Sequence, residues 1–167
     1  IMVKDVEENY PNNLEKEQVA LYIASKKADA YAVEIESGVL VITADTIVCL
    51  GDHILGKPSG ADDAYRMLRM LSGTNHEVIT AVCMRSKQHT ELFHVTTKVH
   101  FLELTDAEIN HYIQKDKPFD KAGAYGIQEW IGLIGIDRIE GSYYNVVGLP
   151  VSEVYQHRTR FQSSSAK

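Results

Sequence analysis

Val39-Leu40-Val41-Ile42-Thr43-Ala44-Asp45-Thr46-Ile47-Val48-Cys49-Leu50 is the stretch on which the fold turns. It is apolar and rich in β-branched residues, broken only by Thr43, Asp45 and Thr46, and so reads as a strand. It is too short and too polar to span a membrane. Gly51-Asp52 supplies a turn, so His53 to Lys57 is expected to pair back as a hairpin that Pro58 stops. Asp45 breaks the pattern, because an unpaired carboxylate is costly to bury. Either it hydrogen-bonds a turn, or it faces a cleft where it binds metal or activates water. Thr46 falls on the opposite face of a regular strand, so periodicity alone does not bring it into the same pocket.

On the N-terminal side, Leu14 to Ile35 reads as a helix whose apolar stripe is Ala20, Ile23, Ala24, Ala28 and Tyr31. Lys27 lies on that stripe, four residues from both Ile23 and Tyr31. Its ammonium either snorkels to solvent or is held toward an anion or toward Asp45. Lys26 points about 100° round the helix and reads as solvated. Glu7-Glu8 is an acidic pair in a loop.

On the C-terminal side, Ser59 is placed to cap a helix through Leu71, which Ser72-Gly73 ends with Gly73 left-handed. Glu77 to Met84 and Leu92 to Leu104 read as strands. Thr105-Asp106-Ala107-Glu108 is a capping box opening a helix to about Gln114. Ile131 to Ile139 and Tyr143 to Val147 read as a final hairpin around Glu140-Gly141. A last helix starts at Pro150. Residues 1–160 are expected to form one domain and 161–167 a flexible tail. Interleaved helices and hairpins predict an α/β fold with a mixed sheet.

The net charge of −6 over 167 residues argues against a nucleic-acid groove, but not against a small anion met by a few converging lysines. The opening residues turn acidic at once, unlike a secretory leader, and a cytoplasmic protein is expected. Cys49 and Cys83 each sit in a strand-like apolar run and read as buried reduced thiols. No two histidines have the spacing of a helical metal site, and His76 is expected to satisfy a turn. Lys57 in Leu55-Gly56-Lys57-Pro58 stands at a strand end before a helix, where a lysine serves phosphate as a point charge. Residues 120–128, Asp-Lys-Ala-Gly-Ala-Tyr-Gly-Ile-Gln, form a small-residue loop. There Lys121 supplies charge, and Gln128 both donates and accepts hydrogen bonds. Residues 141–150, Gly-Ser-Tyr-Tyr-Asn-Val-Val-Gly-Leu-Pro, are a second unusual stretch.

In order and spacing, these segments resemble the Maf family: Ala44-Asp45-Thr46-Ile47-Val48, Leu55-Gly56-Lys57-Pro58, Leu71-Ser72-Gly73 with His76, the 120–128 loop and the 141–150 stretch. The resemblance runs from about Val6 to Tyr155. It implies a fold similar to the inosine triphosphate pyrophosphatases, an elongated mixed sheet flanked by helices in two lobes. It also implies hydrolysis of a nucleoside triphosphate between the α and β phosphates, with a divalent cation, Mg or Mn, and a link to septum formation. By motif, Asp45 resembles the catalytic carboxylate, and Glu8, or Glu7 if the alignment slips, the acidic residue that joins it at the metal. Lys27 and Lys57 match lysines of the catalytic site. Thr46 and Gln128 match positions tied to pyrimidine choice, which favours dTTP and UTP, and Lys121 is expected to touch substrate. The implied partner is the nucleotide, with no nucleic acid or membrane, and a homodimer is left open. Two rivals remain: a purine-directed, inosine-type enzyme, and a noncatalytic interaction protein of cell division. Maf chains open with a strand, a loop of the form A-S-x-S-P-R-R and a helix. This sequence opens at a point corresponding to the loop after that helix, so the Ser and Arg residues that would grip phosphate are not in it, and its own activity is expected to depend on them.

Overall fold

The run from Val39 becomes β1 (Val41–Leu50), which turns through Gly51, at φ +58, into the short β2 (His53–Leu55). The computed structural model describes residues 2–36 and 38–164. Two long strands follow, β3 (Asn75–Arg85) and β4 (Thr90–Phe101), and then β5 (Ile136–Glu140). The sheet order is β2-β1-β3-β4-β5. Every pairing among the described residues is antiparallel, so the parallel component of the expected mixed sheet is not found among them. Hairpins join β1 to β2 and β3 to β4, whereas β1–β3 and β4–β5 pair antiparallel across longer connections that carry helices.

Strand alternation divides the core. Odd positions Ile47, Cys49, Ile79, Ala81 and Cys83 meet Val19, Ala20, Ile23, Ala24 and Ala28 of α1 (Lys16–Asp29) on one face. α1 stops short of the expected Ile35, and a separate 3₁₀ turn spans Ala32–Glu34. Even positions form two apolar clusters on the other face. Val48 and Val78 pack with α2 (Ala61–Leu71), α3 (Asp106–Asp116) and Ile131 of α4 (Trp130–Gly135). Val82 and Met84 pack with Ala44, Phe93 and Val154 of α6 (Val151–Ser164). Between the two clusters runs a polar band of Thr46, Thr80, Thr97 and Asn145.

The Thr105–Glu108 capping box is present. α2 is capped differently from expectation: Gly60 is its N-cap, and Ser59 instead donates to Asp63 Oδ2 from its backbone and its hydroxyl. Gly73 has φ +68, as the stop after α2 requires. The expected final hairpin is corrected: Trp130–Gly135 and Tyr143–Val147 are helices, the latter α5, and only Ile136–Glu140 is a strand. A Cβ on Gly132 would lie 1.9 Å from the Ile127 carbonyl oxygen, so that turn of α4 forms because glycine lets it close on the loop before it. α6 continues to Ser164, into the stretch read as tail, and residues 165–167 lie outside the described residues. No described helix is long and apolar enough to cross a membrane. Both cysteines are buried free thiols, and burial pushes Cys49 up to about 11.

Candidate active site

β2 pairs with β1 only from Val48 to Leu50, so residues 41–47 of β1 have no strand beside them on that side among the described residues. A cleft of about 510 Å³ opens at this uncovered edge. Because it wraps around a strand edge, side chains from both faces of β1 reach it. That is how Asp45, on the α1 face, and Thr46, on the opposite face, line one cavity. Glu8, Lys27, Lys57, Lys121 and Gln128 line it too, so all seven residues singled out from the sequence converge there.

The charged groups form a ladder. Lys27 Nζ lies 2.6 Å from Asp45 Oδ1 and 2.9 Å from Glu8 Oε1, and Lys57 Nζ lies 2.7 Å from Glu8 Oε2. Asp45 is 8 % exposed, whereas the Lys57 side chain, at the open end, is 51 % exposed. Of the two readings of Lys27, the turn toward Asp45 is therefore the one adopted. Burial raises the Asp45 carboxyl above its ordinary value against the pull of Lys27, and the Glu8 charge adds to the rise. Burial opposes the charges of Glu8 and Lys27 as well. There the ion pairs win: Lys57 and Lys27 hold Glu8 low, and Asp45 and Glu8 hold Lys27 high.

Glu8 reaches the ladder because its segment is tied to the end of α1. Lys4 donates to the Ala30 carbonyl at 2.6 Å, and the Tyr31 hydroxyl donates to the Met2 carbonyl at 2.8 Å. Lys26 is not left to solvent as expected, but donates to the side chain and carbonyl of Asn9. Glu7 points elsewhere and accepts from Asn9. Of the acidic pair, only Glu8 joins the site.

The opposite wall is the 120–128 loop. Gly123 has φ +69, and a Cβ there would meet Val48 at 3.0 Å. Ala124 also takes a positive φ, of 60°, which costs an alanine energy and persists only in a fully determined loop. Lys121 pairs with Asp120 at 2.8 Å and Glu129 at 3.1 Å.

Sequence reasoning passed over Asn145, which builds the third wall. It is fully buried, and its Nδ2 donates to the Val78 carbonyl and to Thr97 Oγ1, both at 2.9 Å. Thr80 Oγ1 donates to its carbonyl at 2.8 Å. This pins α5 to the polar band and sets Val146, Val147 and Gly148 against the cleft. A Cβ on Gly148 would lie 3.5 Å from Thr46 Oγ1. The only local signal was an asparagine inside an apolar stretch. His76 is buried under the loop and shares a hydrogen bond with the Tyr125 hydroxyl at 2.7 Å, so it serves the core and not a turn.

A buried carboxylate, two lysines and a second carboxylate are thus paired along one open edge. A family model of Maf-like proteins matches residues 1–161, and the chain belongs to that family. Among individual relatives, the chain is similar to the dTTP/UTP pyrophosphatase of Parabacteroides distasonis, at 48 % identity over 160 residues, covering 96 % of this chain and 83 % of that one. It is 47 % identical over 163 residues to the dTTP/UTP pyrophosphatase of Porphyromonas gingivalis, covering 96 % and 82 %. A protein of the same name from Phocaeicola vulgatus is 52 % identical over 150 residues, covering 90 % and 78 %.

Proposed function

We propose that this protein is a nucleoside triphosphate pyrophosphatase that hydrolyses dTTP and UTP to the monophosphate and pyrophosphate. The observation that carries the reading is the ladder Asp45–Lys27–Glu8–Lys57 along the open edge of β1. Lys57, at the mouth, meets the triphosphate chain first, and Lys27 lies deeper, beside Asp45. Asp45 orients the attacking water and takes its proton. Burial raises its pKa above the ordinary aspartate value, which makes it a stronger base than an exposed aspartate. Both lysines offset charge on the phosphoryl oxygens, the usual source of rate in phosphoryl transfer.

Asp45 and Glu8 touch one ammonium from two sides, so their carboxylates are spaced to share a cation. Groups of three or more His, Cys, Asp or Glu suited to a metal are absent among the described residues. Two carboxylates still fit Mg, which commonly takes its other oxygens from water and substrate phosphates. Asp45 and Glu8 would hold that ion, and it would neutralise phosphate charge and polarise the phosphoryl group. Gln128 and Thr46 face the base, and Lys121 stands beside it. A cytoplasmic location and a homodimer belong to the same reading, tested by cell fractionation and by sedimentation.

Product identity is the direct test. With dTTP and Mg, the protein carrying the family's A-S-x-S-P-R-R segment is expected to yield dTMP and pyrophosphate in equal amounts. Appearance of dTDP and phosphate would move the attack to the γ phosphorus and overturn the assignment. The link to septum formation is tested separately, by whether loss of activity alone alters division.

A further inference from the structure

Behind the 120–128 loop lies a polar bridge that the reaction does not use. Glu129 divides its carboxylate between two partners. Oε1 accepts from Lys121 Nζ at 3.1 Å, and Oε2 accepts from the Tyr112 hydroxyl. That hydroxyl in turn accepts the Gly126 backbone N–H at 3.1 Å. Tyr112 comes from α3 and is fully buried, so the far end of the bridge is anchored in the core. Gly126 is required for it: a Cβ there would meet Glu129 Cδ at 2.9 Å. The Glu129 N–H also donates to the Gly126 carbonyl at 3.0 Å, closing the turn that carries Gln128. Lys121, Gly126 and Gln128 all line the cleft, while Tyr112 and Glu129 do not.

We propose that Glu129, backed by Tyr112, is a positioning residue for nucleotide selection. It locks the Lys121 ammonium and the Gly126–Gln128 backbone into one register, so that Gln128 meets the base at a fixed place relative to the charge on Lys121. The inference rests on the pyrophosphatase reading. A carboxylate is needed because one group must accept from an ammonium and a phenol together, and charge-assisted hydrogen bonds hold geometry more firmly than neutral ones. Without the bridge the loop keeps its place in the core through Ala124 and Tyr125, but the base-facing turn gains freedom. Selection then falls more than turnover, because discrimination depends on polar groups being held where the wrong base leaves them unpaired.

Glu129→Gln keeps the shape and removes the charge, and Tyr112→Phe removes the hydroxyl that joins the carboxylate to Gly126. In both, kcat for dTTP is expected to stay within about twofold while KM rises and the dTTP-over-GTP ratio of kcat/KM falls roughly tenfold. Two readouts need no turnover. The Gly126 amide is expected to exchange with solvent about tenfold faster in Tyr112→Phe. Acetic anhydride is expected to modify Lys121 faster in Glu129→Gln than in the wild type. Equal losses of kcat/KM for dTTP and GTP would overturn the proposal, as would unchanged exchange and labelling. A wild type that releases no pyrophosphate would overturn the function reading instead, leaving exchange and labelling to decide the bridge.

Discussion

Asp45 shows how one residue's chemistry depends on the charges around it. Its burial would be costly for a lone carboxylate, and Lys27 at 2.6 Å offsets that cost. Asp45→Asn keeps the shape and removes both charge and basicity. Pyrophosphate release is expected to fall by at least roughly a hundredfold with the fold intact by circular dichroism, the scale of a lost general base. Retention of most of the wild-type rate would make Asp45 structural. His76 makes the opposite case, a titratable group held neutral. Burial, with His100 nearby adding to it, pushes His76 down to about 4. Its ring lies edge-on to Phe101 and Tyr125, and its Nδ1 has no hydrogen-bond partner among the described residues. The unfolded chain binds this proton near pH 6.5 and the folded protein only near 4. The stability that neutral His76 preserves is therefore complete above about pH 6.5 and is lost as pH falls toward 4, by roughly 3 kcal/mol. Urea unfolding across that window is expected to show a shallower slope in His76→Phe. An unchanged slope would assign the acid loss to other groups.

At the scale of elements, local chemistry made some structure legible and left the rest hidden. The capping box at Thr105 and Glu108, the Gly51 turn and the Gly73 stop are decided within a few residues, and each forms as read. Ile131 to Gly135 and Tyr143 to Val147 have strand-like composition but form helices, because their conformation is set from outside. Gly132 closes on Ile127, and Asn145 reaches back to Val78 on β3. Local periodicity carries no trace of contacts spanning that much sequence. The same holds for the site. Asp45 and Lys27 stood out as a charge on an apolar strand and a charge on an apolar stripe. Glu8 and Lys57, 49 positions apart, pair through folding alone. Glu8 and the positions matched to pyrimidine choice are named through the family resemblance. Asn145→Ala leaves the Val78 carbonyl and Thr97 hydroxyl short of a donor and frees α5, so a loss of about 3 kcal/mol is expected in chemical denaturation. A change under about 0.5 kcal/mol would mean that α5 is held by its apolar contacts instead.

Over the whole molecule, sheet, helix and loop each contribute one wall to a cleft that exists because β2 is short. The edge of β1 left open beyond Val48 lets side chains from both faces of one strand, Asp45 and Thr46, line one cleft. Ionisation follows the same layout. With Asp45 raised by burial, kcat/KM should fall on the acid side with a midpoint above the ordinary aspartate value. A pH–rate profile that is flat down to that value would remove Asp45 as the base. On the proposed function, this cleft releases pyrophosphate from pyrimidine triphosphates. The most direct measurement is kcat/KM for dTTP, UTP, GTP and ATP with Mg, followed by pyrophosphate release. The values for dTTP and UTP are expected to be close to each other and ahead of both purines by at least about tenfold, since a pocket fitted to the edge shared by thymine and uracil leaves purine polar groups unpaired. Equal turnover of all four would contradict the assignment of Gln128 and Thr46 to the base, and absence of pyrophosphate with every nucleotide would contradict the enzyme itself.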